Sequence, residues 1–197
     1  MTPSLVLRDP AAATLFFGSL AVWGACECAL VVRDRRAGMR RPPASDRNSG
    51  ALGVAAGGAG LLASIGLGLQ PLLPLPSRTA LAMGLCVLWA GLALRLWAVR
   101  TLGRFFRLVV IVQDGHKVIE DGPYRAVRHP SYTGVIMVCL GAGIAVGDLA
   151  TALVAGGCML AGLLPRIRYE EAALAESLGE PWRRYAAMHA RLVPRVW

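Results

Sequence analysis

An all-α integral membrane protein of about five transmembrane helices is the fold class this sequence predicts, on three observations. The first is composition. Of 197 residues, 55% are hydrophobic and 17% charged, against about 25% charged in an ordinary soluble domain, and the mean hydropathy is +0.52. The second is patterning: several uninterrupted apolar runs approach the roughly twenty residues that cross a bilayer as a helix. The third is the placement of charge. The net charge of +9 comes from arginines crowded at the ends of apolar runs, a mark of membrane topology rather than of a basic face for nucleic acid. The length suits one multi-pass domain over 1–197, with generic spans in 1–100 and the polar motifs collected in 101–197.

The first span is Ala11 to Val32, opened by Asp9-Pro10, a helix-start signal. The residues before it lack the basic region and cleavage site of a signal peptide, so this run is read as a retained helix. Glu27 lies one to two turns from the RDRR run at Arg33 to Arg36. A carboxylate there reaches the interface or pairs with an arginine, with a cavity lining as the alternative. Arg33 to Ser49 carries six arginines, two acids and Pro42-Pro43, the strongest cytoplasmic marker in the chain. Ala51 to Leu73 is the second span, in which Gly53 and Gly57 allow close helix approach. With no strand before them and apolar surroundings, these glycines do not form a nucleotide loop. Pro71, Pro74 and Pro76 end the span. Thr79 to Val99 is the third, with Arg95 and Trp97 near its end, consistent with snorkelling and an interfacial aromatic.

Arg107 to Glu120 is rich in β-branched residues, and Asp114-Gly115 inside it signals a hairpin or turn. Asp121 to Gly134, DGPYRAVRHPSYTG, follows; Pro123 and Pro130 argue against a long regular helix there. Tyr132 to Gly147 and Leu149 to Pro165 form a tight helical hairpin about Gly147-Asp148. From Arg166 the chain is charged and helical as far as Gly179, a C-terminal cap. Glu180-Pro181 restarts an amphipathic helix whose Trp182, Tyr185 and Met188 form an apolar stripe for the membrane face. All 21 basic residues except Arg8, Arg78 and Arg95 fall on one side of a five-span arrangement. The positive-inside rule makes that side cytoplasmic, with the N-terminus outside and the C-terminus and both polar clusters inside. The excess of arginine over lysine, twenty to one, points to a GC-rich genome, and a bacterial cytoplasmic membrane is the expected location.

Several chemistries are excluded. Cysteines 26, 28, 86, 139 and 158 all fall in apolar runs and read as small buried hydrophobes. There is no HExxH, no close His pair, no nucleophile elbow and no Walker loop, so no metal and no nucleic acid is expected. Membrane lipids are the expected surroundings, with basic residues facing an anionic leaflet. What remains is a pair of polar clusters. Tyr124, Arg125, Arg128, His129 and Tyr132 supply donors near a helix start at Ser131, which suits a carboxylate or phosphate, while the tyrosine rings suit a cation. A zwitterionic or sulfonium-bearing cofactor matches both. Arg166, Glu170 and Glu171 lie where the fifth helix leaves the bilayer. Arg166 and Glu170 share a helix face, but such a pair contributes only about 0.2–0.5 kcal/mol, too little to explain charges this close to hydrocarbon.

The run GPYRAVRHPSYTG, a short helical hairpin and then RIRYEEAALAESLGEPWRRY together resemble the isoprenylcysteine carboxyl methyltransferases. More broadly they resemble the membrane methyltransferase superfamily that includes phospholipid N-methyltransferases. The resemblance covers roughly Arg107 to the C-terminus; the first two helices match only as generic spans. It implies S-adenosylmethionine (SAM) held on the cytosolic side, with S-adenosylhomocysteine as product. His116, Val118, Tyr124, His129, Pro130 and Tyr132 would line the cofactor pocket, with Glu170 near its methionine part. Arg166 and Glu171 match the family's arginine and glutamate near the methyl acceptor, and are the implied catalytic pair. The implied partner is a lipophilic small-molecule or lipid acceptor arriving sideways between helices. Carboxyl O-methylation of an isoprenylcysteine-like or other lipophilic acceptor is the leading expectation: a carboxylate is already ionised at pH 7, and Arg166 would orient it. An amine or thiol acceptor would need a proton removed, by Glu171 or His129. The alternatives are phospholipid amine or thiol methylation and an NADPH-dependent reductase resembling the sterol reductases, whose C-terminal region lacks the paired glutamates found here. A non-catalytic transport component is disfavoured, because mid-span charge is confined to Glu27, Arg95 and the hairpin-tip Asp148.

Overall fold

Prolines, glycines and acidic caps punctuate the chain, and the helices follow them. In the computed structural model, which describes residues 4–36, 73–108 and 117–196, six helices form. They are α1 (Leu5–Arg8), α2 (Pro10–Arg36), α3 (Ser77–Leu102), α4 (Pro130–Val146), α5 (Leu149–Leu178) and α6 (Glu180–Met188). Two 3-10 turns, Gly103–Phe105 and Gly122–Arg125, complete the regular structure. Among the described residues no strand forms beyond two isolated bridges. The all-α membrane architecture is borne out. Pro10–Arg36, Ser77–Phe105 and Leu149–Leu178 are long and apolar enough to cross a membrane. The 17 residues of α4 extend about 26 Å at 1.5 Å per residue. The second expected span up to residue 72, the basic loop beyond Arg36, the Asp114-Gly115 turn and His116 lie outside the described residues.

Each boundary has a local cause. Pro10 supplies the pre-set first turn of α2, and Asp9 Oδ1 accepts from the Ala11 amide at 2.9 Å. Arg33, Arg35 and Arg36 occupy the last turn, where cations favour the helix dipole. Gly147, at φ +93°, supplies the left-handed residue that ends α4. Asp148 then caps α5, its Oδ2 accepting from the Thr151 amide at 3.0 Å and hydroxyl at 2.8 Å. The fifth span was expected to stop at Pro165; instead one 30-residue helix runs through it to Leu178. Gly179 closes that helix as expected, at φ +61°.

Packing in a bilayer relies on close contact rather than on exclusion of water. The α3–α4 pair shows this most clearly. A Cβ added to Gly84 would lie 2.2 Å from the Ala145 nitrogen, and one on Gly91 would lie 2.6 Å from the Gly134 oxygen. A Cβ added to Gly134 or Gly141 would in return lie 2.6 Å from the Gly91 oxygen or 2.5 Å from the Leu88 nitrogen. The two antiparallel backbones therefore touch over two turns. Around this seam sit Phe16 from α2, Leu88 and Leu92 from α3, and Val138 and Ala142 from α4. A second cluster joins α4 to α5 through Val135, Cys139, Ala155, Met159 and Ile167. The expected small-residue pair Gly143 and Gly147 divides its tasks: Gly143 lies against Ala152, whereas Gly147 makes the turn.

The ends of the bundle differ in character. At one end Leu73 to Leu75 lies on the hairpin tip: the Leu73 amide donates to Asp148 Oδ1 at 2.7 Å, and the Leu75 amide to the Gly147 carbonyl at 2.9 Å. At the other end the start of α4 meets the charged half of α5. The hairpin thus returns the chain to the side it left, which brings the two polar motifs together.

Candidate active site

Three backbone features assemble the site. The first is the turn before α4. His129 occupies the N-cap, Pro130 opens the helix, and the Tyr132 and Thr133 amides close onto the His129 carbonyl at 3.0 and 3.1 Å. The second is the polar half of α5, which presents Arg166, Glu170 and Glu171. The third is the segment after α6, which lies parallel to Val127–His129. The Arg128 amide donates to the Ala190 carbonyl at 2.8 Å and the His129 amide to that of Arg191 at 2.9 Å. The Thr133 hydroxyl adds a bond to the Leu192 carbonyl at 2.8 Å.

Two side-chain clusters result. In one, the Tyr132 hydroxyl accepts from Arg166 Nε at 2.8 Å and donates to Glu170 Oε2 at 2.7 Å. Arg166, only 6% exposed, also donates through Nη2 to the Leu108 carbonyl. In the other, Glu171 gathers three bases. Arg128 Nη1 is 2.8 Å from its Oε1, His129 Nε2 3.1 Å from the same oxygen, and Arg191 Nη2 3.0 Å from Oε2. His129 joins the clusters, because its Nδ1 stands 4.0 Å from Glu170 Oε2 and its ring stacks on Tyr132 with centroids 5.5 Å apart.

The sequence-derived residues fall into place unevenly. Tyr132, His129, Arg166, Glu170 and Glu171 are brought together. Pro130 is fully buried beneath them. Tyr124 is buried at 6% exposure; burial, and then the charge of Glu170, pushes its phenol above the ordinary value, so it stays neutral. Val118 is half-buried. Arg125, counted among the donors, instead makes an exposed pair with Asp121 at 3.3 Å. The stripe of Trp182, Tyr185 and Met188 is split. Tyr185 is buried and donates to the Tyr124 carbonyl at 2.8 Å, with burial raising its phenol as well, while Met188 is 64% exposed.

Sequence reasoning missed Arg191 and misread Arg95. Arg95 does not snorkel: it is 6% exposed, takes Glu27 in a two-pronged pair, Nη2 to Oε2 at 2.6 Å, and donates to Ser131 Oγ at 2.8 Å. The carboxylate of Glu27, also held by Trp23 Nε1 at 3.2 Å, neutralises a charge that would be costly at membrane depth. Among the described residues no cluster of three or more metal-ligating side chains exists.

These features define a polytopic α-helical membrane protein with a polar, arginine- and glutamate-rich site at one end of its bundle. Residues 80–176 match the family model described as the isoprenylcysteine carboxyl methyltransferase (ICMT) family. The protein-S-isoprenylcysteine O-methyltransferase B of Arabidopsis thaliana is 30% identical over 115 residues, which cover 57% of this chain and 58% of that protein. The Schizosaccharomyces pombe protein-S-isoprenylcysteine O-methyltransferase is 31% identical over 98 residues, 43% of this chain and 42% of that protein. The chain therefore spans about half the length of these curated relatives. A solved structure described as the eukaryotic intramembrane Ras methyltransferase ICMT shares the fold, with a TM-score of 0.66 and 19% identity over 98% of this chain and 70% of that one.

Proposed function

We propose that the protein is a SAM-dependent membrane methyltransferase that esterifies the carboxylate of an isoprenylcysteine-like or other lipophilic acceptor. The observation that carries this reading is the Arg166–Tyr132–Glu170 chain beside His129 and Glu171, in a family core whose relatives bear that activity in their names. The donor set fits the cofactor. A sulfonium amino acid carries a carboxylate, an ammonium and an adenosine, and the cluster offers arginines, carboxylates and aromatic rings. When bound, SAM would supply an activated methyl group.

The protein's own residues then have separable tasks. Arg166 is always charged and presents a planar fork, so it would hold the acceptor carboxylate and aim one oxygen. Tyr132 holds the Arg166 guanidinium at Nε and the Leu108 carbonyl holds it at Nη2. Glu170, 29% exposed at its side chain, would meet a cationic part of the cofactor. His129 and Tyr124 would wall the pocket. Glu171 is fully engaged by Arg128, His129 and Arg191, so its task is to hold the His129 turn against α5. Val118 and His116 complete the proposed cofactor set. Proximity and exclusion of water would supply most of the acceleration.

The test is transfer of labelled methyl from SAM to three acceptors: N-acetyl-S-farnesylcysteine, a phosphatidylethanolamine and an alkyl thiol. Transfer to the farnesylcysteine alone is expected. Labelling of the lipid amine or the thiol instead would replace the carboxyl reading, and NADPH binding without S-adenosylhomocysteine binding would end it. We also propose that the site faces the cytoplasm of a bacterial cell. An Arg41→Cys label, with the native cysteines replaced, is then reachable only from that side.

A further inference from the structure

We propose that Asp34, at the end of α2, is a positioning residue for Arg166. The proposal rests on the reading of Arg166 as the group that holds the acceptor. Asp34 lies in the run whose arginines mark membrane topology, yet it is 0% exposed. A carboxylate taken out of water needs strong compensation. Its Oδ2 accepts from the Leu108 amide at 2.6 Å, a short, charge-assisted bond. Its Oδ1 lies 3.2 Å from Arg33 Nη2 and 3.9 Å from Arg107 Nη1.

The same residue, Leu108, takes the Arg166 guanidinium on its carbonyl. Asp34 and Arg166 therefore grip opposite sides of one Cα, the acid on the amide and the base on the oxygen. Arg33 Nη2 adds a bond to the nearby Phe106 carbonyl at 3.0 Å, and the Arg33 guanidinium carbon lies 5.3 Å from the centroid of the Phe106 ring. The backbone after α3 is thus clamped by α2 on one face and held against Arg166 on the other. Arg166 has Tyr132 on its Nε and Leu108 on its Nη2. Moving Leu108 would shift the guanidinium about its Tyr132 contact.

Asp34 and Glu27 are seven residues apart on α2 and share a face. Glu27 reaches the start of α4 through Arg95 and Ser131. The acid face of α2 therefore braces both halves of the site, although α2 lies outside the stretch that matches the family.

The experiment uses the full chain in detergent, with N-acetyl-S-farnesylcysteine as acceptor and calorimetry for S-adenosylhomocysteine. Asp34→Ala is expected to raise the acceptor KM about tenfold and to leave the S-adenosylhomocysteine Kd within about twofold. Asp34→Asn, which keeps an acceptor oxygen for the Leu108 amide, is expected to recover most of that loss. Phe16→Leu, a core change in the same helix, serves as the stability control. An unchanged KM in Asp34→Ala, or a rise that Phe16→Leu reproduces at equal melting temperature, overturns the proposal. Should Asp34→Ala fail to fold, Asp34→Glu, which displaces the carboxylate by one methylene, carries the same comparison. Arg166→Ala separates the two readings. If it leaves the acceptor KM unchanged, the role of Arg166 falls and this inference with it. If it raises KM while the Asp34 variants do not, only the role of Asp34 falls.

Discussion

The Tyr132 hydroxyl sits between Arg166 and Glu170, accepting from one at 2.8 Å and donating to the other at 2.7 Å. Arg166 and Glu170 are one helical turn apart on α5, yet each is held by this phenol from α4. Tyr132→Phe keeps the ring and its stacking on His129 while removing both bonds. Hydrogen bonds to charged groups contribute about 1.5–3 kcal/mol each. A fall in kcat/KM of about thirtyfold or more is expected, with little change in melting temperature beyond the lost bonds. Steady-state kinetics on the farnesylcysteine acceptor reads it; activity within about threefold of the parent would remove the phenol from the machinery.

Glu171 is the hub of the second cluster. Glu171→Gln leaves Arg128, His129 and Arg191 facing one another without the shared anion. The expected cost is about 3 kcal/mol, the lower end for breaking a buried pair, since Arg191 is partly exposed. A double-mutant cycle with Arg191→Gln isolates the strap contact, and a coupling of about 1 kcal/mol or more is expected from paired residues in one network. Additive losses in chemical or thermal unfolding would mean that the segment after α6 is held by its backbone bonds alone.

The motifs of this site were readable because both are continuous in sequence. The histidine, proline and tyrosine of RHPSY sit on one turn, and Arg166, Glu170 and Glu171 sit on consecutive turns of one helix. Their meeting followed from the length of the hairpin between them. Arg191 was not readable, because its pairing depends on the chain returning after α6 to lie along Val127–His129, and no local pattern marks that return. Glu27 and Arg95 are 68 residues apart. Each alone fits an interfacial charge, and only the packing of α2 on α3 shows that they neutralise each other. Asp34 was hidden in a run of arginines whose count explained it too easily. Tyr185 followed the apolar period of its helix, and its hydroxyl revealed its direction only against the Tyr124 carbonyl.

The α3–α4 seam gives a prediction about stability. Gly134→Ala places a methyl 2.6 Å from the Gly91 oxygen and 2.9 Å from the Arg95 nitrogen, both backbone atoms that cannot turn aside. Overpacking of this kind costs about 1–3 kcal/mol, and here it also pushes Arg95 away from Ser131. Gly157→Ala meets nothing within 4 Å, so replacing glycine by alanine within a helix stabilises by up to about 1 kcal/mol. Thermal unfolding of the two variants in the same detergent should move in opposite directions. A Gly134→Ala protein as stable as its parent would mean that α3 and α4 can separate without loss.

Asp148 ties the far end of the bundle together and makes it sensitive to acid. Burial raises its carboxyl, but bonds from the Leu73 amide, the Thr151 hydroxyl and the Thr151 and Ala150 amides outweigh it and hold the group below its ordinary value. Its unfolded pKa is about 3.9, and the folded value is lower. The stabilisation is therefore fully present above about pH 4 and is lost as pH falls through the folded value. Asp148→Ala removes the cap of α5 and the anchor for Leu73 together. Losing the cap alone costs about 1 kcal/mol, so at neutral pH the variant should unfold at a lower temperature than its parent. That gap should hold between roughly pH 7 and 5 and shrink below about pH 4, as protonation weakens the parent's cap and leaves the variant unaffected. Melting curves of both proteins across that range decide the point, and a gap that stays constant down to about pH 2 would show that the carboxylate's charge plays no part.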